Sequence, residues 1–192
     1  MNKLLVTYAT NAGSTAKIAE AVAAELDKNA AVETLPLDKV TSLEPYSAVV
    51  LGAPMIVGWH RGALAFLKRN QVALSQKKIA IFVTCVNLTQ TGETSLEGVP
   101  LFIDEKLPKA PKNPARLGFK ENYSTPKNYL SPILKLVKPV SIGLFGGSLQ
   151  YFSMKWWQMP FVLLVIQAMP GDKRNWKAIS EWAGQVAGKL AG

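Results

Sequence analysis

Lys3-Leu4-Leu5-Val6-Thr7-Tyr8-Ala9-Thr10-Asn11-Ala12-Gly13-Ser14-Thr15-Ala16-Lys17-Ile18-Ala19 is the stretch that decides how this chain folds. Residues 3–10 form a short apolar run rich in β-formers, fit for a buried strand. A helical spacing follows over 14–28, with Ile18, Val22 and Leu26 at i, i+4 and i+8. Between them Thr10, Asn11, Ala12, Gly13, Ser14 and Thr15 make a turn of small residues. Backbone N–H groups at a helix N-terminus lack partners, and the helix dipole favours an anion there. Gly13 permits a sharp turn and a close approach, and Thr10, Ser14 and Thr15 add hydroxyls. No Lys or Arg lies in the turn, which suits a monophosphate held by neutral donors. The phosphate-loop pattern GxxxxGK followed by Ser or Thr is absent, and so is the dinucleotide fingerprint GxGxxG. Taken alone, the turn is equally well a helix capped by small polar residues.

Beyond this stretch strand and helix patterns alternate, as βα units around a parallel sheet require. Further strands are predicted at 31–37, 46–53, 79–86 and 140–145. Further helices are predicted at 62–75 and 172–190, the last with Trp176, Ile179, Ala183, Val186 and Leu190 spaced three and four apart. Residues 128–138 recover a helical pattern leading into the fifth strand. Two stretches interrupt the alternation. Residues 88–127 hold Pro100, Pro108, Pro111, Pro114 and Pro126 and are too long for an ordinary connection, so they read as a functional lid or a mobile loop. Residues 148–170 hold Tyr151, Phe152, Lys155, Trp156, Trp157 and the run Phe161 to Ile166.

The 192 residues fit one domain, 1–192, with insertions at about 88–127 and 148–170. Apolar content of 48% and charged content of 18% suit a globular chain. A single cysteine, Cys85, excludes a disulfide framework and a Cys-based metal site and fits a reducing, cytoplasmic compartment. The opening residues lack the long apolar core of a signal peptide. The net charge of +9 is unevenly placed: −2 over 1–60, +8 over 61–139 and +3 over 140–192. This imbalance suggests a basic face meeting an anionic partner; on charge alone nucleic acid, an anionic membrane surface and an acidic small molecule are all open, and nucleic acid is not the partner expected.

The turn at 10–15 resembles the FMN phosphate loop of the flavodoxin family, with Ala12 in place of a hydroxyl residue. That resemblance implies a three-layer flavodoxin-like α/β fold with a five-stranded parallel sheet, order 2-1-3-4-5, helices on both faces and the two insertions. It also implies FMN as cofactor and two further cofactor loops. The second comprises Ala53, Pro54, Met55, Ile56, Gly58 and Trp59, with Trp59 the residue to lie against the flat ring. His60 beside it is a weak candidate for a catalytic role. The third comprises Thr84, Cys85, Val86, Asn87 and Leu88, whose backbone would read the pyrimidine edge. Cys85 itself reads as a small buried filler. No metal is implied.

Flavodoxins that carry electrons are typically acidic, and this chain has a pI of about 9.7. Val50-Leu51-Gly52-Ala53, Gly58-Trp59-His60, Val86-Asn87-Leu88 and Gly146-Gly147-Ser148-Leu149 are similar to the flavodoxin-like, menaquinone-dependent protoporphyrinogen dehydrogenases of bacteria. This implies an FMN-dependent oxidoreductase with a quinone acceptor and a porphyrin-like acidic substrate. Trp156, Trp157 and Phe161 would touch the inner face of the membrane, since Trp and Lys beside a short apolar run suit an interfacial anchor. An ordinary buried helix or a homodimer interface remains open for that segment. The alternative function is a flavodoxin-type carrier that docks an acidic redox partner.

Overall fold

The computed structural model describes residues 3–11, 13–55, 58–149 and 171–191. The chain runs β1 (Lys3–Tyr8), α1 (Ser14–Leu26), β2 (Val32–Pro36), a 3-10 turn (Leu37–Lys39), β3 (Tyr46–Met55), α2 (Arg61–Arg69), α3 (Gln71–Ser75) and β4 (Lys78–Cys85). It continues through β5 (Leu88–Thr89), β6 (Ser95–Leu96), β7 (Val99–Ile103), β8 (Pro108–Lys109), α4 (Phe119–Tyr123) and α5 (Pro126–Leu134). Then come β9 (Ser141–Gly146), β10 (Ser148–Leu149), β11 (Gly171–Asp172) and α6 (Trp176–Ala191).

Alternating side chains on the central strands separate two apolar layers. On one face Val49, Leu51, Ile81 and Val83 pack with Phe66, Leu67, Leu130 and Ile133 from α2 and α5. On the other, Val6, Val50 and Phe82 pack with Ile18 and Val22 of α1 and with Ile179, Trp182 and Val186 of α6. Trp182 sits edge-on to Phe82 and Phe145, with centroids 6.1 and 5.6 Å away, and its indole N–H donates to Ser141 Oγ at 3.1 Å. Gly52 is required by this second layer, because a Cβ there would fall inside the Phe82 ring.

The sheet differs from the five strands in the order 2-1-3-4-5 that the resemblance implied. It has seven, in the order β2-β1-β3-β4-β9-β7-β6. The two extra strands come from the 88–127 insertion. β7 pairs parallel to β9, Leu101 with Ile142 and Ile103 with Leu144, and β6 folds back antiparallel on β7. Without them β9 would present a row of unpaired backbone groups at the sheet edge. The lid-or-mobile reading of this insertion is therefore corrected: it is a sheet extension followed by the short helix α4.

Smaller corrections concern helix ends. The helix expected over 62–75 breaks at Asn70, whose N–H and side-chain amide both donate to the Phe66 carbonyl and so close α2. The helix expected over 128–138 begins earlier, at Pro126, with Thr125 as its cap: Thr125 Oγ1 accepts from the Asn128 N–H at 3.3 Å. The anchor residues Trp156, Trp157 and Phe161 lie outside the described residues.

Candidate functional site

Three loops and the end of β9 meet at the carboxyl edge of the sheet, where open α/β sheets bind ligands. The first loop leaves β1 after Ala9, whose N–H donates to the Gly52 carbonyl at 2.9 Å. Gly13 occupies the N-cap of α1 at φ +79, a left-handed conformation that L side chains rarely adopt. Its N–H donates to Thr10 Oγ1 at 2.9 Å, and the first intrahelical bond runs from the Lys17 N–H to the Gly13 carbonyl. The amides of Ser14, Thr15 and Ala16 precede that bond and have no intrahelical acceptor. A Cβ built on Gly13 would meet nothing within 4 Å, so the chain leaves open space at the helix terminus. Thr10 accepts from Gly13 and retains its own O–H as a donor. Asn11 is exposed beside it, and Ala12 lies outside the described residues.

The other two hydroxyls serve the scaffold. Thr15 is buried and shares a hydrogen bond of 3.1 Å with Thr84 Oγ1, tying the first loop to the end of β4. Ser14 Oγ accepts from the Ser148 N–H at 2.8 Å, tying the same loop to the end of β9. Gly147 stands at this junction, close to Ser14, Thr84 and the Cys85 carbonyl. Gly147 and Ser148 were not among the candidate site residues, and their Gly-Gly-Ser context was the signal in the sequence that could have found this clasp.

The second loop begins later than expected. Ala53, Pro54 and Met55 are the last residues of β3 and are buried. Met55 bridges to Trp59, and the His60 N–H donates to the Pro54 carbonyl at 3.2 Å, so the turn is tight. Ile56 lies outside the described residues, and Gly58 has φ +82. Trp59 is 4% exposed and packs in the core, with its indole nitrogen buried and unpartnered. The aromatic set beside this loop is instead Tyr123, whose hydroxyl lies 3.8 Å from where a Gly58 Cβ would sit. His60 is half-buried at the N-cap of α2; burial holds its imidazole below the ordinary range, and Nδ1 is buried without a partner among the described residues.

In the third loop Thr84, Cys85 and Leu88 are buried, while Val86 and Asn87 are half-buried. Burial, reinforced by Asp104, pushes the Cys85 thiol up to about 12, which removes it as a nucleophile at neutral pH. The helix after the insertion fastens onto this loop, and the insertion is tied to itself. Tyr129 of α5 donates its O–H to the Asn87 carbonyl at 3.2 Å, and Thr89 Oγ1 lies 2.8 Å from both the Glu121 carbonyl and Ser124 Oγ. Tyr123 stacks edge-on to Tyr129 with centroids 6.2 Å apart. Sequence reading missed Tyr123, because nothing local marks a tyrosine in a proline-rich insertion as a neighbour of Gly58. Among the described residues no cluster of His, Cys, Asp or Glu could hold a metal ion, and no helix is long and apolar enough to cross a membrane.

Neutral donors at a helix terminus, flanked by two loops from the adjacent parallel strands, define the cofactor edge of a flavodoxin-like domain. The chain belongs to the flavodoxin domain family, whose family model matches residues 5–175. Among solved structures, an archaeal flavodoxin is similar over 99% of both chains at 14% identity with a TM-score of 0.53. The Fusobacterium nucleatum flavodoxin bound to flavin mononucleotide is similar over 99% of both chains at 12% identity with a TM-score of 0.50. A short-chain flavodoxin associated with a bacterial microcompartment aligns over 44% of this chain and 62% of its own length at 20% identity, with a TM-score of 0.40. No curated protein sequence matches the chain.

Proposed function

We propose that this protein is an FMN-dependent oxidoreductase of the protoporphyrinogen dehydrogenase type, passing reducing equivalents from a porphyrin-like acidic substrate to a quinone. The observation that carries the cofactor is the open helix terminus at Gly13, where free first-turn amides and the Thr10 hydroxyl suit a phosphate monoester. Ser14 and Thr15 hold that terminus against β4 and β9. Val86 and Asn87, both half-buried residues, suit the polar edge of the ring through their backbone groups, and Tyr123 borders the second loop. FMN, when bound, supplies reversible uptake of reducing equivalents. The protein orients it and places His60, whose imidazole burial holds below the ordinary range, at the loop's end.

The dehydrogenase assignment is supported by the four stretches of motif similarity and by the basic charge of the later chain. Contact with the inner membrane face through Trp156, Trp157 and Phe161 belongs to the same proposal. The test is turnover of a reduced porphyrin by FMN-loaded protein with menadione as acceptor, followed by the porphyrin's fluorescence. Turnover that depends on quinone supports the assignment; none, with flavin bound, rejects it.

A second reading, a carrier docking an acidic redox partner, is favoured by one surface. Phe119 is 88% exposed on α4, and Lys112, Lys120 and Lys127 of the same stretch of chain are exposed. Electron delivery to an acidic partner that weakens steeply with added salt would select that reading.

A further inference from the structure

A recess of about 470 Å3 opens on the β2 side of the first loop, between the 3-10 turn and α2. That volume is in the range of small-molecule sites. It is not the cofactor cradle: among the described residues of the cofactor loops only Thr10 borders it, with His60 at the loop's end, and Gly13, Ser14, Thr15 and the third loop do not. Its apolar wall is made by Tyr8, Leu37 and Phe66. Its polar groups are few and distinct in kind.

Arg69 stands on the last turn of α2, its guanidinium carbon 5.9 Å from the centroid of the Phe66 ring. It forms no ion pair with a carboxylate among the described residues, so its charge is open to a ligand. Asp38 lies across the recess on the 3-10 turn and is exposed. His60 closes the end nearest the cofactor loops. Its Nδ1 is buried beside Gly62, where a Cβ would come within 3.2 Å, and has no partner among the described residues. A neutral imidazole carries one proton, and a buried bare acceptor costs less than a buried orphan N–H. That places the proton on Nε2, as a donor.

We propose that this recess is a second ligand site, separate from the FMN cradle, for a flat apolar ring that carries one anionic group and a carbonyl-type acceptor. The ring lies against Leu37 and Phe66, the anion is drawn to Arg69, and His60 donates to the acceptor. The site sits on the same edge of the sheet as the cofactor loops. A quinone supplies the flat ring and the carbonyl acceptor, and an acidic porphyrin the flat ring and the anion; to that extent the ligand class rests on the oxidoreductase reading, although the recess does not.

The test uses FMN-loaded, oxidised protein and anthraquinone-2-sulfonate, titrated calorimetrically in 0.15 M NaCl. One-to-one binding is expected. Ala65→Trp, at an exposed position of α2 that lines the recess, should weaken it by about tenfold or more through steric filling while flavin content stays unchanged. Arg69→Gln should weaken it by about fivefold, and Asp38→Asn should strengthen it by about threefold by removing the opposing charge. Affinity untouched by Ala65→Trp overturns the proposal. Loss of flavin with that variant also overturns it, by making the recess part of the cofactor site. So does equal weakening by Lys120→Gln, outside the recess, since net charge would then explain the binding. Binding that follows this pattern without any quinone-dependent turnover upholds the site and rejects the dehydrogenase.

Discussion

Gly13 and His60 are the residues at which the proposed site is most directly tested. At φ +79 a side chain strains the loop, and a β-branched one does so most. Gly13→Val should therefore destabilise the protein by about 1–3 kcal/mol and abolish stoichiometric FMN, read by denaturant unfolding and by flavin absorbance. Retained flavin would move the phosphate elsewhere. His60 tests burial. Its folded pKa lies below the ordinary 6.5, so the unfolded chain binds the extra proton first as pH falls. The stability linked to His60 is complete above pH 6.5 and is lost as pH drops through 6.5 towards the folded value. His60→Gln should flatten the denaturation midpoint between pH 7 and 5. A wild-type midpoint already flat there would refute the burial argument. Gly13 was legible because strand, small polar turn and helix adjoin in one short stretch. Trp59 was legible as an aromatic but not as a core residue, since nothing in its neighbours records that β3 runs on to Met55 and draws Trp59 into the core behind it.

Among the elements, the hairpin β6–β7 carries a local flaw that can be corrected. Glu97 and Gly98 both have positive φ, 51 and 79, in the two-residue turn, where Asn-Gly is the favoured pair. Glu97→Asn should raise stability by about 0.5–1 kcal/mol, seen as a shift in the denaturation midpoint with no change in flavin affinity. This hairpin is also the element that sequence patterning hid. Val99 to Ile103 is a brief apolar run interrupted by Pro100, and its partner β9 lies about forty residues away. Proline density in 88–127 suggested a loop, whereas pairing across the sheet made a strand. The opening strand and α1 needed no such partner to be recognised.

For the whole molecule, the insertion and the last helix are joined through Asp104, which is 1% exposed at the end of β7. Asp104 Oδ1 accepts from Asn175 Nδ2 at 2.8 Å, just before α6, and from the Lys106 N–H at 3.1 Å. Asp104→Ala should cost about 1–3 kcal/mol by stranding those donors, measured by denaturant unfolding, while leaving the FMN loops intact. An unchanged midpoint would show that the insertion docks independently. The sequence by itself determined the alternation of strands and helices around a parallel sheet and the glycine turn between β1 and α1, because each is written in the periodicity and chemistry of adjacent residues. Only tertiary structure decided the two added strands, the burial of Trp59 and Thr15, the approach of Tyr123 to Gly58 and the recess under Arg69. Those depend on residues distant in the chain, brought together when β9 required a neighbour and the two apolar layers closed on the sheet.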